Sequence, residues 1–386
     1  MLQTTGYIFQ MREGRDVMEE RAYAYWLSAM PGLGCNRIAQ LMQRCGSARE
    51  VYMGSEKIWQ GIVTEKHRLC IEEAKKGWDV KRAYENMQRQ GISMTILGEK
   101  EYPVRLSHIP DPPFAVFYKG VLPQEQGVSV AVIGARACSD YGRFVAKQLG
   151  ETLGAAGIQV ISGLARGIDG ISQGAALGAG GKSFGILGSG VDVCYPEQNR
   201  KLYENILGQG GIISEFVPGT QPRSQNFPMR NRIVSGLCDV LVVVEAREKS
   251  GTLITVDMAL EQGKEVYVVP GRITDRLSDG CNRLLRQGAS VLLSPLELLR
   301  DIREMRGEIQ ESSSEELPAV PEGCSEQEKY LYRLLDYTPR SLEEIRCQLV
   351  KSNKKCDSST LHMTLMEMCI KGHVRQNSPG YFSLPI

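Results

Sequence analysis

One unit recurs between Val130 and Ala289: a short apolar run that ends in glycine and opens into a helical stretch. Three of the junctions carry arginine. They read Val130-Ala-Val-Ile-Gly134-Ala-Arg136, Ile161-Ser-Gly163-Leu-Ala-Arg166-Gly167 and, in a longer loop, Phe227-Pro-Met-Arg230-Asn-Arg232. Parallel strands cannot be joined by hairpins, so strand, tight turn and helix in alternation build a parallel sheet with crossover helices. Such turns all emerge at the carboxyl edge of the strands, where free backbone N–H groups and helix amino ends attract anions. The pattern predicts a doubly wound α/β domain shaped to hold phosphate.

Strands are expected near 129–133, 159–162, 183–187, 211–214, 240–245, 265–269 and 290–293, with crossover helices such as 142–156, 168–179 and 252–262. Continuous apolar runs such as Val240-Leu-Val-Val-Val244 fit strands covered on both faces. Ahead of this core, the four prolines between Tyr102 and Gly120 break any helix and leave an entry strand at Phe114–Tyr118. The core is therefore placed at 101–300.

The flanks read differently. Residues 1–19 form a polar leader to which no structure is assigned, and residues 20–100 form a helical module. Within that module Tyr23, Trp26 and Leu27, then Ile38, Leu41 and Met42, have helical spacing. The tetrapeptide Pro31-Gly-Leu-Gly34 between them resembles the hairpin of helix-hairpin-helix DNA-binding modules, and it equally suits a plain helix–helix turn. Residues 301–324 are acidic and rich in Ser and Pro, the composition of a linker. After them, helices at 325–335, 341–350 and 358–371 and a short hairpin follow the plan of a winged helix. The third of these helices is more apolar than basic, with Lys351, Lys354 and Lys355 preceding it, so partner binding suits it at least as well as base readout.

Composition narrows the function classes. The formal net charge is +1, so a nucleic-acid site has to be a local patch. The eleven cysteines include no Cys-x-x-Cys pair and fit reduced thiols better than a disulfide framework or a zinc site. No apolar stretch approaches the ~20 residues that span a bilayer, and no signal-peptide core opens the chain. A cytoplasmic protein without a membrane partner is expected.

Gly185-Ile-Leu-Gly188-Ser-Gly190-Val-Asp192 follows a strand but has Val193 where a dinucleotide fingerprint needs its third glycine, which disfavours such a cofactor. Ser250-Gly251-Thr252 opens a helix and either caps it or receives a phosphate. Arg223, Arg230 and Arg232 lie close together with Phe227 among them and no acidic residue between. Cations beside an aromatic suit a single strand, because every base has a face to stack. The same Phe227-Pro228 could instead plug the edge of the core and leave the arginines solvated. Asp169, Asp192 and Glu215 follow strand ends without a recognisable catalytic spacing, and no histidine falls at the carboxyl edge.

Taken in order, Gly134-Ala-Arg136, Ser162-Gly-Leu-Ala-Arg-Gly-Ile-Asp169, Leu187-Gly-Ser-Gly-Val-Asp192 with Tyr195-Pro196, Phe227-Pro-Met-Arg-Asn-Arg-Ile-Val-Ser-Gly236, Ser250-Gly-Thr252 and Pro270-Gly271 resemble the DNA-processing protein A (DprA/Smf) family. The similarity runs from about Tyr102 to Ala289. The resemblance implies a Rossmann-like core that binds single-stranded DNA without base specificity, and the residues themselves lead to an expectation of no catalysis, cofactor or metal. It also implies a homodimer that protects incoming strands and loads RecA recombinase on them in natural transformation. Carried over, Arg136, Arg166, Arg230, Asn231 and Arg232 would contact phosphate or shape a basic pocket with Phe227. Gly134, Gly163, Gly188 and Gly190 would allow close backbone approach, Ser250, Gly251 and Thr252 would close the other wall, and Lys182 and Lys264 would add charge at the rim. Ala135 and Gln173 depart from the family pattern.

Two other classes compete. Nucleotide phosphoribohydrolases share a Rossmann core and a Gly-Thr helix start, but need a glutamate where this chain has Thr255. A winged-helix regulator would act through the tail alone.

Overall fold

The computed structural model describes residues 17–306, 321, 323–337, 339–351 and 357–385. It divides into two compact units, Met1–Met305 and Arg306–Ile386. No helix among the described residues is long and apolar enough to cross a membrane.

The first unit opens with helices α1 (Val17–Ser28), α2 (Cys35–Cys45), α3 (Ala48–Met53), α4 (Glu56–Trp59), α5 (Glu65–Gly77) and α6 (Val80–Arg89). Apolar residues three and four apart explain their inner faces: Ile38, Leu41 and Met42 on α2, Val80, Tyr84 and Met87 on α6. The Asp79 side chain starts α6 by accepting the Arg82 N–H. Most of the polar leader lies outside the described residues, and α1 already begins at Val17, inside the stretch expected to be structureless.

Strand β1 (Ser93–Ile96), short helix α7 (Val104–Ser107) and β2 (Ala115–Gly120) follow. β1 corrects the expected boundary at residue 100, since it pairs antiparallel with β2 and belongs to the sheet. Its four residues are too few for a period of two to stand out, and three of them are buried.

The chain then alternates strand and helix: β3 (Ser129–Ile133), α8 (Asp140–Ala155), β4 (Gln159–Ser162), α9 (Ile168–Gly178), β5 (Ser183–Ile186), α10 (Arg200–Gln209), β6 (Gly211–Ser214), α11 (Asn226–Leu237), β7 (Val240–Val243), α12 (Gly251–Glu261), β8 (Glu265–Val268), α13 (Asp279–Arg286), β9 (Ser290–Val291) and α14 (Pro295–Met305). The order across the sheet is β1-β2-β6-β5-β4-β3-β7-β8-β9. β3 to β9 are mutually parallel, while β2 lies antiparallel on β6. The inner strands β3 to β7 bury every residue, as apolar runs covered on both faces require. This is the expected doubly wound sheet with an antiparallel extension.

Two expected elements differ. The linker was to begin at 301, yet α14 continues to Met305 and buries Ile302 with Leu298. The block from Phe227 to Arg232 is not a loop but the opening turns of α11, with Pro228 in the first turn, where a missing N–H costs nothing.

The second unit holds α15 (Glu326–Leu334), β10 (Arg340–Ser341), α16 (Leu342–Lys351), α17 (Ser358–Ile370), β11 (Arg375–Ser378) and β12 (Tyr381–Ser383). Its core gathers Leu331, Ile345, Leu361, Leu365 and Phe382. Ser325 and Glu328 close a capping box at the start of α15, and Glu328 also accepts the Lys371 ammonium at 2.7 Å. β10 adds a strand that the sequence did not signal. Lys354 and Lys355 lie outside the described residues.

Candidate functional site

From β3 the chain steps outward through β4, β5 and β6, then returns to lay β7 against the other side of β3. Crossovers diverge at such a reversal and open a crevice beyond the carboxyl ends of the strands. A groove of about 690 Å³ lies there. Gly134 and Arg136 line it from the turn after β3, Gly163 from the turn after β4, Phe227, Arg230 and Asn231 from α11, and Ser250, Gly251 and Thr252 from the start of α12.

Arg230 forms the floor. Its side chain is buried, with Nη1 donating to the Gly163 carbonyl at 2.8 Å and to the Ile186 carbonyl. Nε has no hydrogen-bond partner among the described residues. The nearby Asp169 carboxylate accepts the Gly163 N–H at 3.1 Å instead of pairing with the guanidinium. Burial pulls the Arg230 pKa down to about 10, with Asp169 opposing the shift and Arg136 adding to it. Burial likewise raises the Asp169 carboxyl above its usual range. A cation buried without a full set of partners raises the affinity of the groove for an anion, which would complete it.

Arg136 stands at the rim, exposed, its guanidinium carbon 5.6 Å from the centre of the Phe227 ring. The ring is held from beneath: a Cβ at Gly188 would lie 2.9 Å from Phe227 Cδ1, and Asn226 Nδ2 donates to the Gly188 carbonyl at 3.0 Å. Tyr195 continues the row, its ring centre 5.5 Å from that of Phe227. On the far wall the Ser250 hydroxyl caps α12 by accepting the Thr252 N–H at 3.1 Å. The amino end of α12 then faces the groove, with the positive end of its dipole toward any anion inside.

Other expected site residues lie elsewhere. Arg232 sits two positions after Arg230 on the same helix, about 200° around it, and so points the opposite way. It makes a two-pronged ion pair with Glu215, at 2.6 and 2.7 Å, and donates from Nε to the Asp111 carbonyl at 3.1 Å. Burial alone would lower the Arg232 pKa, and the Glu215 hydrogen bonds and charge more than reverse it, so its charge is spent inside the protein. Lys182 and Lys264 immediately precede β5 and β8, which places them at the amino edge of the sheet, opposite the groove. Gly190 donates its N–H to the Thr220 carbonyl and packs loop on loop, while Gly188 makes room for a ring and not for a ligand. Arg166 is exposed on the turn after β4, outside the groove lining. The sequence reading did not single out Tyr195 as a site residue, although the Tyr195-Pro196 pair was already conspicuous after β5.

These features define an α/β protein of the Rossmann type whose switch-point groove sets a buried and an exposed guanidinium beside an aromatic wall. The model of the DNA recombination-mediator protein A family matches residues 93–303, and the chain belongs to that family. It is 42% identical over 200 residues to the DNA processing protein DprA of Streptococcus pneumoniae, covering 52% of this chain and 71% of that protein. The X-ray structure of DprA from S. pneumoniae superposes with a TM-score of 0.63 at 33% identity, over 72% of this chain and 97% of that one. The structure of DprA from Helicobacter pylori, described for its single-stranded DNA binding mode, gives 0.51 at 28% identity, over 55% and 96%.

Proposed function

We propose that the groove binds single-stranded DNA through its phosphates and bases without reading sequence. The observation that carries this reading is the Arg230 floor beneath the Arg136–Phe227 rim: an incompletely partnered buried cation, an exposed cation and an aromatic face in one crevice. Backbone phosphate is common to all strands, and stacking on Phe227 is open to any base. A binding role is favoured over a catalytic one by Thr255, which stands where a ribohydrolase needs a carboxylate, and by the Asp169 carboxylate, which accepts the Gly163 N–H. The protein then acts by holding DNA, as a homodimer that protects incoming strands in DNA uptake and hands them to a RecA-type recombinase. The family membership and the single-stranded DNA binding mode described for the H. pylori relative support this reading.

Fluorescence anisotropy of a labelled oligonucleotide, single-stranded against duplex, tests it with wild type and Arg136→Ala protein. Tight, salt-sensitive binding that prefers the single strand and weakens in the variant is expected. Binding that ignores the substitution would move the DNA site away from the groove.

A further inference from the structure

We propose that Tyr195 is a stacking platform for a base of the bound strand, an inference that rests on the groove being a single-strand site. Tyr195 lines the groove and is 43% exposed. Its contact with Phe227 is ring on ring, with the planes 31° apart and the centres at 5.5 Å. No hydrogen bond holds its hydroxyl among the described residues. Tyr203, eight positions on, shows how a packing tyrosine looks in the same region: it is 7% exposed and donates to the Val191 carbonyl at 2.6 Å. Tyr195 has neither burial nor anchor, so its ring is free to receive a partner.

The geometry sets how. Tyr195 and Phe227 already touch, which leaves no slot between them, so a base lies on the outer face of Tyr195 and extends the row Arg136, Phe227, Tyr195 by one ring. Phe227 packs closely on Gly188, whose carbonyl accepts the Asn226 side-chain N–H, so the ring rests on backbone that is itself anchored. The row therefore presents an aromatic surface beside the two guanidinium groups that take the backbone. Stacking of this kind tolerates any base and fails only where the base is missing.

The test uses the full-length protein with two labelled oligonucleotides of equal length, oligo-dT and a tract of stable abasic sites, and compares wild type, Tyr195→Phe, Tyr195→Leu and Arg136→Ala. Tyr195→Leu should weaken oligo-dT binding on the order of tenfold, while Tyr195→Phe stays within about twofold. On the abasic tract wild type and Tyr195→Leu should coincide. Equal weakening of both oligonucleotides by Tyr195→Leu would show a displaced loop and overturn the stacking role. Wild-type binding of oligo-dT by Tyr195→Leu, with Arg136→Ala impaired, would also overturn it and leave the groove reading intact. If neither variant changed binding, both readings would fall.

Discussion

Arg230 gives its Nη1 to the Gly163 carbonyl at 2.8 Å, and its guanidinium fills the space that any side chain at position 163 would enter. A Cβ there would come within 2.6 Å of both terminal nitrogens. The guanidinium has nowhere to retreat, since Nη1 is also bound to the Ile186 carbonyl in a buried setting. Gly163→Ala should therefore cost about 1–3 kcal/mol of stability and weaken single-strand binding together. Thermal unfolding and anisotropy on one preparation check it, and an unchanged melting temperature would contradict the tight fit.

Arg136 should behave in the opposite way. Exposed and without an ion-pair partner among the described residues, it contributes little to folding, so Arg136→Ala should shift stability by no more than about 0.5 kcal/mol. If it neutralises one phosphate, the slope of log affinity against log salt should become shallower by about 0.7. A potassium chloride titration reads that slope directly.

Breaking the Arg232–Glu215 pair leaves a buried charge alone. Arg232→Ala or Glu215→Gln should cost about 3–5 kcal/mol, seen in urea unfolding. Where the variants remain folded, their affinity for a single strand should match wild type. A selective loss of affinity at full stability would put Arg232 back in the groove.

The double variant Lys182→Ala/Lys264→Ala should leave affinity within about twofold, because both positions sit at the amino edge of the sheet and distant charges are screened. A larger drop would reveal a second contact surface there.

In the second unit, the Lys371 hydrogen bond and then the Ser325 N–H pull the Glu328 pKa down to about 2, from an ordinary 4.5. A depressed carboxylate pKa stabilises the folded state fully above the unfolded value, and that contribution is lost as pH falls from about 4.5 through about 2. Amide hydrogen exchange in α15 should thus be slower in wild type than in Glu328→Gln at pH 6, with the gap closing across that acid window. A gap that persists at the acid end would mean that Glu328 acts by shape alone.

How far the sequence revealed this molecule depended on the range of each signal. Val240-Leu-Val-Val-Val244 and its counterparts are local, and burial on both faces writes itself into every residue of such a strand. Gly134 and Gly163 were legible for the same reason, as turns that follow those strands. Arg230 and Arg232 were not separable, because Phe227–Arg232 was read as a loop, in which neighbouring side chains have no fixed divergence. Once the segment is helical, the two must part. Lys182 and Lys264 misled because charge is visible in a sequence, whereas the edge of a sheet is visible only after its strands are laid parallel. The Tyr195–Phe227 contact joins the loop after β5 to the start of α11, and no periodicity reports such a meeting.

The helical module and the sheet share one interior. Trp26 and Leu27 of α1 belong to the same buried cluster as Phe117 of β2 and Ile212 of β6, and the Tyr25 ring meets that of Phe117 edge-on at 5.9 Å. A protein trimmed back to the start of the sheet would retain every residue of the groove, yet it would turn that shared interior outward as a sticky wall. Its copies would then clump through this wall before any strand of DNA could be offered to them.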